Sequence, residues 1–164
     1  MSCELGLRPG FEIMKSKNKR PVHVFISEEF LAELFAELIS EVTHDRYDPK
    51  VSVTTYADEL LNLTKRHSFD LFVLFLNNII FPDRNLPPEN RLRQALSLVI
   101  HLKARYRKPI ICLYGWPDNP SYGRQAMLAG ADFVFGAPCK KEPLREAVEE
   151  CLKEMPEDKN SSRR

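Results

Sequence analysis

The stretch LFVLFL, Leu71–Leu76, decides how this chain folds. It is apolar at every position, not at alternate ones. A strand with one wet face alternates apolar and polar residues, whereas an unbroken apolar run must be covered on both faces. That is the situation of a central strand in a parallel sheet with helices above and below. Asp70 precedes the run, and Asn77, Asn78, Pro82, Asp83, Asn85, Pro87 and Pro88 follow it as a long, stiff loop.

Working outward, strand-like and helix-like segments alternate on either side. Val22–Ile26 (VHVFI) is short, β-branched and bounded by Pro21, and Val51–Thr54 follows beyond a linker that ends at Pro49. Leu31, Leu34, Phe35, Leu38 and Val42 recur at helical spacing between them. Thr55 and Asp58 resemble a capping signal for a short helix carrying Leu60, Leu61 and Thr64, with Lys65, Arg66 and His67 suited to its C-terminal dipole. After the loop, Leu92, Ala95, Leu96, Val99 and Leu102 stripe a helix stopped by Pro109, and Ile110–Leu113 is a fourth strand. Pro117, Asn119 and Pro120 predict a turn, Ser121–Ala129 a short helix, and Gly130 its left-handed cap. Phe133–Phe135 is a fifth strand; Leu144, Ala147, Val148, Cys151, Leu152 and Met155 trace the last helix, with Pro143 in its first turn. Five β-α units in succession predict an α/β fold: a doubly wound, five-stranded parallel sheet of order 2-1-3-4-5. Ligands of such sheets sit at the carboxyl ends of the strands.

The remaining arithmetic bounds the function. The 164 residues suit one domain: a basic leader (1–20, with Lys15, Lys17, Lys19 and Arg20), a folded unit (21–155) and a polar tail (156–164). This division leaves no room for an effector domain. With 24 Lys+Arg against 23 Asp+Glu the formal net charge is +1, which removes the global argument for a nucleic-acid binder. The balance hides a basic leader and third helix (Arg91, Arg93, Lys103, Arg105, Arg107, Lys108) offset by an acidic last helix (Glu142, Glu146, Glu149, Glu150, Glu154). Six glycines, none clustered, exclude a Walker loop or a dinucleotide fingerprint. Cys3, Cys112, Cys139 and Cys151 form no CxxC pair, and His23, His44, His67 and His101 have no metal-ligand spacing. No apolar run approaches the ~20 residues of a membrane helix, and no secretory signal is present, so the expectation is a reduced cytoplasmic protein.

Four segments, in order and at matching spacing, resemble the receiver domains of response regulators. They are VFISEEFL (Val24–Leu31), FDLFVLFLNN (Phe69–Asn78), KPIICL (Lys108–Leu113) and AMLAGADFVFGAP (Ala126–Pro138). The resemblance spans Pro21–Met155. It implies aspartyl phosphorylation: an acidic pair after the first strand and an acceptor aspartate closing the third would bind Mg²⁺, while a Ser/Thr after the fourth strand and a lysine after the fifth would contact the phosphoryl group.

Carried over residue by residue, that chemistry is missing. The acceptor position falls on Phe75, the acidic pair on Ser27 and Glu28, the hydroxyl position on Tyr114 and the lysine position on Ala137. A phenylalanine cannot accept a phosphoryl group, and its partner cation has gone with it. The aromatic that switches inward on the fifth strand of many receivers is replaced by Val134. The expectation is a degenerate receiver, a pseudo-receiver without catalytic residues, metal or cofactor, with Phe75 filling the former phosphoryl pocket. It would stand alone in signal transduction and act through phosphorylation-independent contact with a protein: a kinase, another regulator or a second copy in a homodimer.

Its expected contact residues are Trp116, Tyr122 and Arg124, in or after the aromatic loop YGWPDNPSY, together with Val134. Two other classes remain open from the residues alone. One is a small-molecule sensor or enzyme on a flavodoxin-like sheet, resting on Trp116, Tyr114 and Glu28 at the strand edge. The other is a nucleic-acid-associated adaptor using the basic leader and third helix.

Overall fold

A computed structural model of the chain describes residues 19–115 and 120–153. Strands β1 (Arg20–Ile26), β2 (Tyr47–Val53), β3 (Leu71–Phe75), β4 (Ile110–Tyr114) and β5 (Phe133–Gly136) form one sheet ordered β2-β1-β3-β4-β5. Every pairing is parallel, with Val24 opposite Leu71, Val73 opposite Ile111 and Cys112 opposite Val134. The helices are α1 (Ala32–Val42), α2 (Ala57–Arg66), α3 (Pro88–Tyr106), α4 (Pro120–Ala129) and α5 (Lys141–Lys153). The expected α/β class and strand order are therefore the observed ones.

Side chains on a strand alternate between faces, and the core divides accordingly. Phe25, Phe72, Leu74, Ile110 and Cys112 point into a layer closed by α2, α3 and α4, with Leu60, Ala95, Val99, Leu102 and Ala126 facing them. Val24, Ile26, Leu71, Val73, Ile111 and Leu113 point the other way, against Phe35, Leu38 and Ile39 of α1 and Leu144, Ala147, Val148 and Cys151 of α5. Leu71, Phe72, Val73 and Leu74 are all at most 1% exposed, as an unbroken apolar strand requires. Each such side chain contributes roughly 1.5–3 kcal/mol.

Several local expectations are corrected. Pro49 does not end a linker but lies inside β2, opposite Val22. β2 is an edge strand, where a residue without an N–H is tolerated. Leu76 leaves β3 and enters a 3-10 turn, Leu76–Asn78. Thr55 and Asp58 do not cap α2; Tyr56 is the N-cap, with no side-chain cap bond. The loop after β3 does that work instead. Ala57 N–H donates to the Ile80 carbonyl and Ile80 N–H to the Thr55 carbonyl, and Ile79 and Phe81 are buried beneath. On α3 the buried stripe is Ala95, Leu98, Val99 and Leu102, while Leu92 and Leu96 are half-buried. Arg107, in the left-handed region, ends that helix before Pro109 is reached. Gly130 behaves as expected: at φ 125° it closes α4, its N–H donating to Met127 O while Ala131 N–H donates to Ala126 O. The expected leader up to residue 18, the turn at 117–119, Met155 and the tail lie outside the described residues.

Two polar ties fasten the layers. The Asp132 carboxylate enters β5 from the α4 side, and its Oδ2 accepts from Ile110 N–H (2.8 Å) and Lys103 Nζ (2.7 Å). It thereby joins β4, β5 and α3. Between α1 and α5, Glu41 receives Lys141 (3.1 Å) and Arg145 (3.4 Å). The Lys141 hydrogen bond is the main reason its carboxyl sits below its ordinary value.

Asp132→Ala strands a buried-strand amide and a lysine together, so urea denaturation is expected to show a loss of about 1–3 kcal/mol. Lys103→Met removes only a partly exposed pair and is expected to cost under about 1 kcal/mol. The depressed Glu41 pKa stabilises the fold above the unfolded value near 4.5 and ceases to do so as pH falls through the lower folded value. Glu41→Gln should therefore flatten acid denaturation on that side, read by circular dichroism against pH.

Candidate functional site

The carboxyl ends of β1, β3, β4 and β5 bring the expected edge residues together. Ser27 follows β1, is fully buried, and its Oγ accepts from Phe75 N–H at 2.7 Å. Ser27 N–H donates to Val73 O (3.0 Å), so β1 and β3 are laced together just below the edge. Glu28 follows Ser27 and reaches the loop after β3. Its Oε1 accepts from Asn78 Nδ2 at 3.1 Å, tying the loop after β1 to the loop after β3. Asn77 completes the line: its Oδ1 accepts from Gly115 N–H at 2.8 Å, tying the loop after β3 to the end of β4.

Strand parity sends the two aromatic replacements to opposite faces. Phe75 packs on the α1/α5 side. Its ring meets Phe30 edge-on, with centroids 5.9 Å apart, and Phe30 remains 63% exposed. On the other flank a Cβ at Gly115 would lie 3.3 Å from the tip of the Phe75 ring. The ring therefore lies between the loop after β1 and the loop after β4.

Tyr114 turns to the α4 side. It meets Tyr122 edge-on at 5.7 Å, and its hydroxyl lies 3.7 Å from where a Gly123 Cβ would be. Gly136 is the other wall, where a Cβ would stand 3.2 Å from both Cζ and Oη of Tyr114. Val134 is half-buried and lies under Gly123. A ring is thus present between α4 and β5, but it is carried by β4. Small residues at 123 and 136 make its room. Ala137 is joined to Tyr114 through the backbone, its N–H donating to Tyr114 O at 2.7 Å, and it precedes a cis bond to Pro138.

This arrangement does not fit the Mg²⁺ site that the resemblance implies. A hard dication needs several oxygen ligands. At the acidic-pair positions the one carboxylate, Glu28, is already hydrogen-bonded to an amide, and a hydrocarbon ring stands where the acceptor oxygen would be. Among the described residues no group of three or more His, Cys, Asp or Glu is placed to hold a metal ion. Burial pushes the Cys112 thiol up to about 12, with the nearby Asp132 charge adding to it, so this thiol is an inert core group.

Of the expected contact residues, Tyr122 is half-buried against Tyr114, Arg124 is exposed on α4, and Val134 lies inward of both. Trp116 lies outside the described residues. The basic residues around α3 do not make one stripe: Lys103 turns inward to Asp132 and the Lys108 carbonyl, and Arg105 lies 5.9 Å from the Tyr106 ring. Among the described residues no helix is long and apolar enough to cross a membrane.

With that geometry in place, the class is defined: the chain has the fold of a response-regulator receiver domain. It is similar to the receiver domain of NtrX from Brucella abortus, with 17% identity over 81% of this chain and 99% of that one, at a TM-score of 0.57. An orphan response regulator of H. pylori, HP1043, is 16% identical over 80% and 96% of the two chains, at a TM-score of 0.55. FixJ-N is 20% identical over 84% and 97%, at a TM-score of 0.53. No protein-family model matches the sequence, and no curated protein does. Fold likeness at this identity carries the architecture; the chemistry belongs to the residues at the edge.

Sequence reasoning missed Phe30, Gly115, Gly123 and Gly136. Phe30 stands next to the acidic-pair positions and carries no periodicity signal. The glycines could have been found only by asking which neighbours two bulky edge aromatics need. Gly136→Ala is expected to push the Tyr114 ring off Tyr122, with a loss of about 1–3 kcal/mol, the usual cost of overpacking. Loss of Tyr114–Tyr122 ring contacts in NMR, together with a lowered urea midpoint, would show it.

Proposed function

We propose that this protein is a degenerate receiver that signals through contact with another protein, independently of phosphorylation. One observation carries the reading. At the acceptor position the Phe75 ring lies between Phe30 and Gly115, and Ala137 stands where a phosphate-binding lysine would be. A phosphorylated receiver changes state because new charge at the edge pulls the loop after β4 and the ring beneath it. Here the hydrogen bonds of Ser27, Glu28, Asn77 and Asn78 already tie the three loops, and Tyr114 already fills the space between α4 and β5. The edge is held in one arrangement without a phosphoryl group.

A fixed arrangement suits a docking platform. The surface on offer runs from exposed Phe30 across the loop end at Gly115 to Tyr122 and Arg124, and loops on a rigid scaffold are where binding concentrates. The partner is a kinase, another regulator or a second copy of this chain. The protein performs no catalysis in this role, and its place in the cell is the cytoplasm.

Beryllofluoride with Mg²⁺ is the direct test. The amide spectrum of the wild-type protein is expected to show no saturable shift at Phe75, Tyr114 or Ala137. The triple variant Ser27→Asp, Phe75→Asp, Ala137→Lys is expected to regain one. Saturable shifts in the wild type would overturn the proposal, as would loss of a captured partner on adding EDTA.

A further inference from the structure

The loop after β3 leaves two adjoining depressions on the side away from Phe75. One, of about 250 Å³, is bounded by Leu76, Asn78, Pro88, Arg91, Leu92 and Tyr122. The other, of about 230 Å³, takes in Asn78, Phe81, Asp83, Arg84 and Arg91. Asn77, Asn78 and Arg91 border both, so the two are one bent cleft with Arg91 at its elbow.

The charges in that cleft do not cancel. Among the described residues neither Arg84 nor Arg91 stands within ion-pair distance of a carboxylate. Arg84 lies over the Tyr56 ring at 5.9 Å. Among the described residues the one carboxylate lining the cleft, Asp83, accepts from Asn85 N–H at 3.1 Å. Among the described lining residues two guanidinium groups thus stand against one acid, beside the first turn of the 19-residue helix α3, whose dipole faces the exposed Glu89 of that turn as well as the cleft. The first depression also has apolar walls, Leu76, Pro88, Leu92 and the Tyr122 ring, beside Asn77 and Asn78. An apolar body with a few charged groups at one end is the usual make-up of a small-molecule site.

We propose that this cleft binds a small organic phosphate. Arg91 and Arg84 take the phosphate oxygens through their planar forks, and Leu92 and Tyr122 cover the organic body. Because Tyr122 also packs on Tyr114, a ligand held here would touch the contact between α4 and the sheet edge. This site is separate from the acceptor position and does not depend on the docking role proposed above.

Phenyl phosphate is a suitable probe, titrated into isotope-labelled protein and followed by amide NMR. Saturable shifts are expected at Asn77, Asn78, Arg91 and Tyr122. Arg91→Met is expected to weaken binding about tenfold or more, the scale of losing a charge-assisted bidentate bond. Arg91→Lys, which keeps the charge without the fork, should fall between. Arg105→Met, at the far end of α3, is the control for net charge and is expected to change nothing.

No saturation by about 10 mM would overturn the proposal, since two guanidinium forks on one phosphate should bind more tightly than that. So would equal weakening by Arg105→Met, which would make the effect a general attraction. Inorganic phosphate binding as tightly as phenyl phosphate would overturn the role given to Leu92 and Tyr122. The unshifted remainder of each spectrum reports whether a variant is folded.

Discussion

The burial of β3 on both faces is the constraint on which everything else depends. Leu71 and Val73 are sealed by α1 and α5, and Phe72 and Leu74 by α3 and its neighbours. Neither layer can be removed without exposing one half of this strand. β3 is also the strand that ends at the centre of the functional edge. Its parity therefore decides that Phe75 must turn toward α1 and not toward α4. The position of that ring between Phe30 and Gly115 is inherited from the packing of the four residues before it.

Around that centre the edge is held by many modest contacts and no dominant one. The bonds from Ser27 to Phe75, Glu28 to Asn78 and Asn77 to Gly115 are each worth about 1 kcal/mol, and the half-buried rings of Phe75 and Tyr114 contribute on a similar scale. In the proposed reading they stand in for what a metal ion and several charges do in a phosphorylatable receiver. The trade is chemically consistent. A carboxylate cluster needs counter-cations to be stable at close quarters, and an aromatic at its centre needs none. Removing the lysine with the aspartate leaves no unpaired charge behind.

The two proposals meet at Tyr122 and otherwise use different parts of this edge. The contact surface lies over the rings that fill the old pocket, whereas the cleft lies beyond Asn77 and Asn78, where the loop after β3 bends toward α3. The same two asparagines that latch the loops also border the cleft, so the loop after β3 serves both. Its bridge to the Thr55–Ala57 segment holds it in place from the other side.

The periodicity of the sequence by itself determined the class and the covering of the sheet on both faces, because burial leaves a direct mark on apolar spacing, and the right-handed crossover rule narrowed the strand order to the one observed. The identities of Ser27, Glu28, Phe75, Tyr114 and Ala137 likewise carry the proposal that phosphoryl chemistry is lost, since no geometry supplies an oxygen that a side chain lacks. Only the tertiary structure decided where the replacements go. Pro49 sits in a strand because β2 is at the sheet's edge, and α2 starts without a side-chain cap because Ile80 reaches across to its first amide. The ring missing from Val134 is supplied by Tyr114 because Gly123 and Gly136 happen to flank it. Such contacts join residues far apart in the chain and leave no local pattern, so they become visible only when the sheet brings its strand ends together.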